Sequence, residues 1–496
     1  MIRREPYSAA QHSYDVIVVG GGIYGACTLW ETVRRGLRGL LIERQDFGGA
    51  TSWNSLRILH GGLRYLQTLD LTRFRESVRE RRWFCQHFPD AVQPLPCLMP
   101  LYGRGLKRPA TMRVALALND WLSRDRNRGT LPALQLPDSR LLDADATIRL
   151  FPQVDRHGLQ GAALWYDAQM LSPQRILIGL LHEACGQGAT ALNYVEATGL
   201  LQHAGRVVGL SARDGRNGAV YEYRSNWVIN CAGRWSRELT AALDRDVPRL
   251  FQPSLAFNVL LDRAPLSSAA LAVQAQGPDQ PVYFLVPWGG KILAGTRHQP
   301  WTGSVENPQP SSEQVRQFLD GLNLAVPNLD LEPSQVVRVY AGLLPTKKPG
   351  SHELTKRPVV YNHARHGGPR GLISLSGIKF TTARLVAEQA LQAIPLGRPP
   401  RENAEAYLPH RPAYGLDLLC PQDLFEGDDH LARASLRRLV REEAVFEWDD
   451  LLLRRTDWGS DPALENRIRQ RVGDLLCARA SIPLQSTAIC GRGAES

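Results

Sequence analysis

Three glycines near the N-terminus have the spacing of a phosphate-binding loop. Gly20, Gly22 and Gly25 form a GxGxxG motif that follows a continuous apolar run from Val16 to Val19. Such a run is typical of a strand buried on both faces. The first glycine permits a tight turn, the second lets a pyrophosphate approach the backbone, and the third permits close packing of helix on strand. The pattern favours a dinucleotide site.

The residues after the loop support the same interpretation. A helical pattern runs from Ile23 to Arg35, and a second apolar strand, Leu40 to Ile42, ends in Glu43. The start of such a helix directs its N–H groups at phosphate oxygens. Glu43 is placed to accept hydrogen bonds from an adenosine ribose. Glycine spacing alone does not separate NAD from FAD.

A second small-residue turn lies far along the chain. The apolar strand Trp227–Ile229 is followed by Cys231, Ala232 and Gly233, a combination that permits close approach of the backbone to a ligand. By itself this is an ordinary strand-to-helix turn. A contact region so distant from the first is, however, what an extended FAD molecule requires.

The stretch HGGLRYL, His60 to Leu66, places two glycines beside Arg64 and Tyr65. An arginine suits a phosphate or a carboxylate because its planar guanidinium donates two parallel hydrogen bonds. A tight turn followed by the half-exposed start of a helix would be compatible with the same sequence. From the residues alone, a surface arginine is the simpler interpretation.

Composition sets the wider frame. The chain has 496 residues, of which 43% are hydrophobic, and this length predicts two or three domains. No apolar run is long enough for a membrane-spanning helix, and the N-terminus lacks a signal-peptide core, so a cytoplasmic location is expected. The eight cysteines form no CxxC pair, which predicts reduced, mostly buried thiols and no metal site.

The net charge of +10 predicts attraction to polyanions. No nucleic-acid-binding motif accompanies it, so nucleic acid is not an expected partner. The stretch from Gly105 to Gly129 combines cations with an apolar helical face, and two interpretations stay open: a helix at a membrane surface, or an ordinary solvated helix, which the pattern favours slightly. That face comprises Val114, Leu116, Leu118, Trp121 and Leu122.

Four segments together resemble the FAD-dependent glycerol-3-phosphate dehydrogenases, within the broader glycine-oxidase-like (DAO) flavoprotein superfamily. They are YDVIVVGGGIYGA, GGATSWNSLRILHGGLRYL, NCAGRW and SLSGIKFTTARLVAEQAL. The resemblance extends with gaps over residues 14–395, and Glu442–Gly459 is similar to the helical cap that follows in this family. The fold that it implies is α/β: a Rossmann-like FAD-binding domain with an inserted antiparallel or mixed-sheet substrate domain and a small C-terminal helical cap.

The resemblance and the composition together suggest domain bounds. The FAD-binding domain is expected over residues 1–84, 166–250 and 336–398, the substrate domain over 85–165 and 251–335, and the cap over 405–496. Linkers rich in proline, glycine and serine are predicted at 301–314 and 395–403. The second linker is expected to separate the catalytic body from the cap.

The resemblance also implies which residues bind FAD. Hydroxyl groups after the nucleotide loop would follow the pyrophosphate and ribityl chain, and Gly61 and Gly62 would let the backbone pass beside the isoalloxazine. Lys379 and the helix after it would stabilise negative charge at the pyrimidine edge of the flavin, unless the lysine simply faces water beside a capped helix. The expected cofactor-binding residues are Gly20, Gly22, Ile23, Gly25, Glu43, Thr51, Ser52, Ser55, Gly61, Gly62, Val195, Ala232, Gly233, Gly377, Lys379 and Thr381.

For the reaction, the resemblance implies transfer of a hydride from a small anionic alcohol to flavin N5, with glycerol 3-phosphate or a related polyol phosphate as substrate. Arg64 and Tyr65 would face the substrate. His60 and His298 are the candidate bases, because histidine titrates near neutrality; a structural role for either histidine is the commoner one. The expected catalytic residues are Arg64, Tyr65, His60, Lys379, Arg297 and His298.

Several positions depart from the family pattern. Leu344 stands where the family has a phosphate-binding arginine, with Lys347 and Lys348 close by in sequence. Arg297 and His298 replace a smaller pair in GTRHQPW, and a family histidine is absent near Phe257 and Asn258. The substrate is therefore less defined than the cofactor.

Three functions stay open from the sequence. The first is the FAD-dependent dehydrogenase, reoxidised by quinone, oxygen or another carrier, in the cytoplasm or peripherally on the inner face of the membrane. The second is an amine or amino-acid oxidase, or an oxidase of a non-phosphorylated hydroxy acid. The third is a non-enzymatic flavoprotein or a basic membrane-surface scaffold.

Overall fold

A computed structural model describes residues 1–103, 105–241, 247–275, 280–395 and 421–477. The described chain forms two compact units, each assembled from separate segments. Unit 1 comprises Met1–Trp53, Ser172–Pro253 and the described residues of Leu344–Ser496; unit 2 comprises Asn54–Leu171 and Ser254–Leu343.

Unit 1 contains a sheet whose centre is parallel. Strand β1 (Ser13–Val19) pairs in parallel with β10 (Val220–Asn230) on one side and with β2 (Gly39–Ile42) on the other. Because β1 is paired on both edges and covered on both faces, Val16–Val18 are fully buried, which explains the continuous apolar run. The sheet order is β16 (Val359–Asn362), β17 (Leu372–Ser376), β10, β1, β2 and β7 (Thr190–Leu192), and β9 (Arg206–Asp214) joins β10 to β8 (Val195–His203).

Helices cover this sheet. Helix α2 (Ile23–Arg34) follows β1 and packs against α6 (Pro173–Gly186) and α9 (Ala383–Gln392). The other elements of unit 1 are α1 (Pro6–Ala10), β7 (Thr190–Leu192), β8 (Val195–His203), β9 (Arg206–Asp214), α7 (Ser236–Ala241), β16 (Val359–Asn362) and β17 (Leu372–Ser376). A doubly wound sheet of this kind binds ligands at the carboxyl ends of its parallel strands.

The C-terminal helices of unit 1 are held by buried ion pairs. Arg455 is fully buried and donates to both carboxylate oxygens of Asp46, at 2.7 and 2.9 Å. Arg175 of α6 donates to both oxygens of Glu443, at 2.6 and 2.9 Å. The four helices are α10 (Pro421–Glu426), α11 (Asp429–Glu442), α12 (Trp448–Arg454) and α13 (Pro462–Cys477).

Unit 2 is built on a largely antiparallel sheet of order β15-β11-β14-β13-β12-β4-β6-β3, with β5 beside β6. Its strands are β3 (Ile58–Leu59), β4 (Val92–Leu101), β5 (Arg140–Leu142), β6 (Gly161–Met170), β11 (Pro253–Leu261), β12 (Ala270–Val273), β13 (Tyr283–Trp288), β14 (Lys291–Pro300) and β15 (Val336–Pro345). Its helices are α3 (Leu71–His87), α4 (Pro109–Leu122), α5 (Ala144–Leu150) and α8 (Ser312–Ala325).

The mixed α/β class and the second, mostly antiparallel sheet confirm the fold predicted from the sequence. Strands β13 and β14 form a β-hairpin in which Trp288 pairs with Lys291 across the two-residue turn Gly289–Gly290. Residues 54–84, expected in the FAD-binding domain, belong to unit 2 because β3 pairs with β6. The functional assignment of the domains stays a prediction. Apart from Pro395, the linker predicted at 395–403 lies outside the described residues, as does the first part of the cap.

The apolar face predicted for helix α4 is only partly buried. Leu116 is buried, and Leu118 and Leu122 pack against the small cluster around Phe74, whereas Val114 and Trp121 are 69% and 63% exposed. The apolar stripe is therefore divided between the core of unit 2 and the surface.

The described cysteines agree with the predicted reduced thiols. Cys27, Cys85, Cys97 and Cys231 are buried, Cys185 is partly buried, and none of these five forms a disulfide with a described residue. Burial raises the pKa of Cys85 to about 11. Cys420 and Cys490 lie outside the described residues.

Candidate active site

The nucleotide loop lies where three strands of unit 1 end. Gly20 N–H donates to the Ile42 carbonyl at 2.8 Å, and Cys231 N–H donates to the Val19 carbonyl at 2.8 Å. The carboxyl ends of β1, β2 and β10 are thus joined by main-chain hydrogen bonds. The two small-residue turns predicted from the sequence therefore lie side by side.

The close approach of helix to strand explains the third glycine of the motif. A Cβ atom at Gly25 would lie 1.8 Å from the Gly20 carbonyl oxygen, so only hydrogen fits there. Helix α2 begins after Gly22, and the Ile23 N–H donates to Ser52 Oγ at 2.9 Å. Ser52 therefore lies directly at the helix N-terminus, where a phosphate is favoured.

Glu43 directly follows β2, at the position predicted for it. Its carboxylate accepts the Gly21 N–H at 2.6 Å and the Gln45 N–H at 2.8 Å. Burial raises its pKa despite these two bonds. The Val195 N–H donates to the Glu43 carbonyl at 2.8 Å, which places β8 beside the same strand end.

Asn230, which no sequence motif marks, holds the second turn. This buried side chain accepts the Ala232 N–H at 3.1 Å and donates to the Ser236 carbonyl at 2.8 Å and to Ser374 Oγ at 3.2 Å. Gly233 has a φ of +56°, in the region that glycine adopts most readily. The turn geometry is therefore fixed from the side of β17.

These observations fit a bound dinucleotide. The loop packs so tightly that glycine is required at position 25, Ser52 lies at the start of helix α2, and an acidic side chain follows the adjacent strand. Thr51 is partly exposed in the turn before Ser52. Gly20, Gly22, Gly25, Glu43 and Ser52 would hold the adenosine and pyrophosphate portions of FAD.

The SGIK segment of unit 1, Ser376–Lys379, begins at the end of β17 and leads to α9. Thr382 is the N-cap of α9, but its side chain makes no capping hydrogen bond, and Thr381 is buried. The Tyr24 hydroxyl donates to the Lys379 carbonyl at 3.1 Å and accepts the Lys379 N–H at 3.3 Å. Lys379 is partly buried, so its main chain is held by α2.

In unit 2, the His60–Gly62 segment extends β3 along β6. The Gly61 N–H donates to Asp167 Oδ1 at 2.5 Å, and Arg81 Nη1 donates to the same oxygen at 2.6 Å. A Cβ atom at Gly61 would lie 2.3 Å from Arg81 Nη1. A buried ion pair therefore sets the path of the segment.

The remainder of the motif forms a 3-10 helix, Leu63–Thr68. Gly62 has a φ of +88°, and Tyr65 N–H donates to its carbonyl at 2.8 Å. The Tyr65 ring packs edge-on against His60, with centroids 6.2 Å apart, and under the Arg73 guanidinium at 4.6 Å. Arg64 is exposed. Ser55 Oγ accepts the Arg57 N–H at 3.3 Å within its own turn.

Arg297 and His298, the two residues of β14 that depart from the family pattern, lie on opposite faces of the sheet. Arg297 pairs with Phe257 and donates to the Tyr283 hydroxyl at 3.3 Å, on the face where Phe257 and Tyr283 both pack against Phe318 of α8. His298 pairs with Ala256 and so faces the other side.

Asn258 occupies a bulge between Phe257 and Val259. It donates to the Asn54 carbonyl at 3.0 Å and accepts from Thr296 Oγ1 at 2.8 Å. Phe257 is buried in the core instead. Of the two residues near the missing family histidine, only Asn258 therefore makes polar contacts with other segments.

The segment after β15 offers a cationic surface. Lys347 and Lys348 are exposed, and Lys347 forms an ion pair with Glu353. Leu344 is partly buried. A substrate anion would have to compete with Glu353 for Lys347.

Four positioning residues were missed by the sequence analysis: Tyr24, Asp167, Asn230 and Arg81. Each acts through a bond to a residue distant in sequence, such as the 106 positions between Asp167 and Gly61. The one available signal was an acidic residue inside a mostly apolar strand, Asp167 in GAALWYDAQM.

Comparison with known proteins defines the class. The family model described as FAD dependent oxidoreductase matches residues 15–392, and the chain belongs to this family. This confirms the predicted cofactor class and the oxidoreductase class.

Two relatives, both named glycerol-3-phosphate dehydrogenase, show a more specific similarity than the family model. The chain is 32% identical to a glycerol-3-phosphate dehydrogenase of Synechocystis sp., covering 86% of this chain and 78% of that protein. It is 31% identical to glycerol-3-phosphate dehydrogenase 1 of Mycobacterium bovis, covering 92% and 93%. The resemblance drawn from the motifs is thereby confirmed.

A solved structure has a similar fold. The glycerol-3-phosphate dehydrogenase from Bacillus halodurans, complexed with FAD, aligns with a TM-score of 0.72 and 20% sequence identity, covering 94% of this chain and 91% of that one. At this identity the likeness concerns the fold alone.

Proposed function

We propose that this protein oxidises glycerol 3-phosphate, or a closely related polyol phosphate, with FAD as cofactor. The observation that carries the proposal is the HGGLRYL segment, in which the Gly61 N–H is bonded to the Asp167–Arg81 pair and the Arg64 side chain is exposed. An exposed guanidinium on a fixed segment is suited to binding a phosphate. The glycerol-3-phosphate dehydrogenases that are 31–32% identical to this chain support the substrate.

Bound FAD would supply the redox chemistry, the removal of a hydride from the alcohol carbon. The role of the chain is to orient the substrate and to accept its hydroxyl proton. Arg64 and Tyr65 would bind the substrate, and His60 or His298 would hold the proton. Arg297, on the α8 face of the sheet, would act through Tyr283. Lys379 would place a positive charge near the flavin.

A second candidate is oxidation of an amine, an amino acid or a non-phosphorylated hydroxy acid. The observation that favours it is Leu344, which stands where the dehydrogenases that this sequence resembles have a phosphate-binding arginine. Arg64 would then bind a carboxylate, which has the same fork geometry. The proposal for phosphate therefore depends on Arg64.

An anaerobic screen separates these candidates. Purified holoprotein is mixed without oxygen with glycerol 3-phosphate, glycerol, glycine or a 2-hydroxy acid, and the loss of flavin absorbance is followed. Bleaching by glycerol 3-phosphate at low concentration supports the first proposal. Bleaching by the amine or hydroxy acid alone supports the second, and an unbleached flavin with all four contradicts both. Quinone, oxygen and an artificial carrier are then compared as oxidants of the reduced protein.

We also propose that the protein is cytoplasmic and makes a peripheral contact with the inner face of an anionic membrane. None of the helices in the described part of the chain has the length and apolar character to cross a bilayer. Exposed Val114 and Trp121 on α4 lie among the exposed cations Arg113, Arg124 and Arg128. Exposed apolar side chains among cations suit an anionic lipid surface.

This contact is tested by sedimentation with phosphatidylglycerol vesicles. The Trp121→Ser variant should bind them more weakly than the Val220→Ser control, which replaces a residue that is 66% exposed on β10. Equal binding of both variants would contradict the contact.

A further inference from the structure

Tyr24 lies in helix α2, directly after the glycine-rich loop, and contacts Lys379, which is 355 positions away in the sequence. Its hydroxyl donates to the Lys379 carbonyl at 3.1 Å and accepts the Lys379 N–H at 3.3 Å. Two bonds to the same residue restrict both the position and the orientation of its backbone. One phenol thereby links the nucleotide loop to the SGIK segment.

The surroundings of Tyr24 hold the phenol in place. A Cβ atom at Gly377 would lie 2.1 Å from the Tyr24 hydroxyl, so the ring end rests directly on that glycine. On the helix side, Thr28 Oγ1 donates to the Tyr24 carbonyl at 2.6 Å. Burial raises the pKa of Tyr24, so the hydroxyl stays protonated and can donate and accept at the same time.

We infer that Tyr24 is a positioning residue for Lys379, and that it acts on the reduction of the flavin through the placement of the Lys379 ammonium group. The inference rests on the proposed role of Lys379 beside FAD. Charge stabilisation falls with distance, so a lysine whose backbone is released stabilises a reduced, anionic flavin less well. Tyr24 itself need not contact the cofactor.

The test uses holoprotein with Tyr24→Phe, which removes one hydroxyl and keeps the ring. Two readouts are independent of turnover: the two-electron midpoint potential of the flavin, and the dissociation constant of its sulfite adduct, which is also anionic. Loss of the paired bonds should lower the potential and weaken sulfite binding by roughly threefold to tenfold. The control is Tyr14→Phe, which removes a buried phenol bond to the Ala9 carbonyl in the same unit.

A double variant tests whether the effect of Tyr24 on the flavin depends on Lys379. Lys379→Met should lower the potential by itself, and adding Tyr24→Phe to Lys379→Met should then change neither readout. An undiminished effect of Tyr24→Phe in the Lys379→Met background overturns the inference and leaves the proposed function standing. If Lys379→Met alone changes nothing, the proposed role of Lys379 fails, and the inference fails with it.

A measurement without cofactor covers the case in which Tyr24→Phe releases FAD. Hydrogen exchange of the Lys379 amide in the apoprotein should be faster in Tyr24→Phe than in Tyr14→Phe, because the hydroxyl is the acceptor for that N–H. Equal protection in the two variants overturns the inference.

Discussion

Asp167 accepts the main-chain N–H of Gly61 at 2.5 Å, across a sequence separation of 106 residues. The same oxygen accepts Arg81 Nη1 at 2.6 Å, and the other oxygen accepts Trp165 Nε1 at 3.2 Å. One buried carboxylate therefore connects β6, α3 and the segment that begins with His60. The shape of the proposed substrate-binding segment depends on a residue outside it.

Replacing Asp167 with alanine should lower the free energy of unfolding by about 3 kcal/mol, because Arg81 is left as a buried charge without its carboxylate. Urea denaturation measures this loss. Asp320→Ala, which breaks an exposed pair with Arg316, should have no measurable effect and serves as the control. Equal stability of the two variants would show that the Asp167 pair is not held in the folded protein.

Gly61→Ala should destabilise the protein by roughly 1–3 kcal/mol, because the new methyl group meets Arg81 at 2.3 Å. Turnover should fall in the same variant, since the segment must shift to make room. Gly186→Ala is the matched control: the residue is exposed at the end of α6, and nothing lies within 4 Å of a Cβ there. Thermal unfolding and steady-state kinetics of both variants would decide the point.

Arg64→Ala should raise KM for glycerol 3-phosphate by roughly tenfold to a hundredfold through loss of charged hydrogen bonds. The flavin content, read from the visible spectrum, should stay that of the unaltered protein. The exposed Arg224 on β10 provides the control substitution. Release of FAD by Arg64→Ala, with KM unchanged, would mean that this arginine does not bind substrate.

Glu43→Gln should weaken FAD binding about tenfold, since a charged acceptor for the ribose hydroxyls becomes a neutral one. The raised pKa of Glu43 adds a pH dependence: as the pH falls, the carboxyl gains a proton, and FAD affinity should fall with it. The Gln variant should lack this dependence. Fluorescence titration of the apoprotein with FAD over a pH series would measure both effects.

Glu183 predicts a pH-dependent stability. Burial raises its pKa to about 7, and its carboxylate accepts Trp30 Nε1 at 2.8 Å. The folded protein therefore holds a proton that the unfolded chain has released, so stability should decrease as the pH rises from the normal glutamate range to about 7.

Glu183→Gln should remove this decrease, and at pH 8 it should be more stable than the unaltered protein by at most about 3 kcal/mol. Parallel stability curves for the two proteins would contradict a raised pKa.

Much of unit 1 could be predicted because its signals are local. The run Val16–Val19 and the spacing of Gly20, Gly22 and Gly25 depend on contacts within one strand, turn and helix, and the structure shows that strand, turn and helix there. Helix α4 shows the limit of such reasoning. Its periodicity predicted an apolar face, but whether Trp121 meets a core or solvent depends on which elements lie opposite.

The sequence by itself determined the strand-loop-helix that receives a dinucleotide and, through the motifs around it, the flavoprotein family. Backbone sterics and hydrophobic periodicity act over a few residues, so both can be read from neighbouring letters. Only the tertiary structure decided which distant groups meet, such as Asp167 with Gly61 and Tyr24 with Lys379. Those contacts follow from the pairing of strands and the packing of helices, which bring together residues that no local pattern connects.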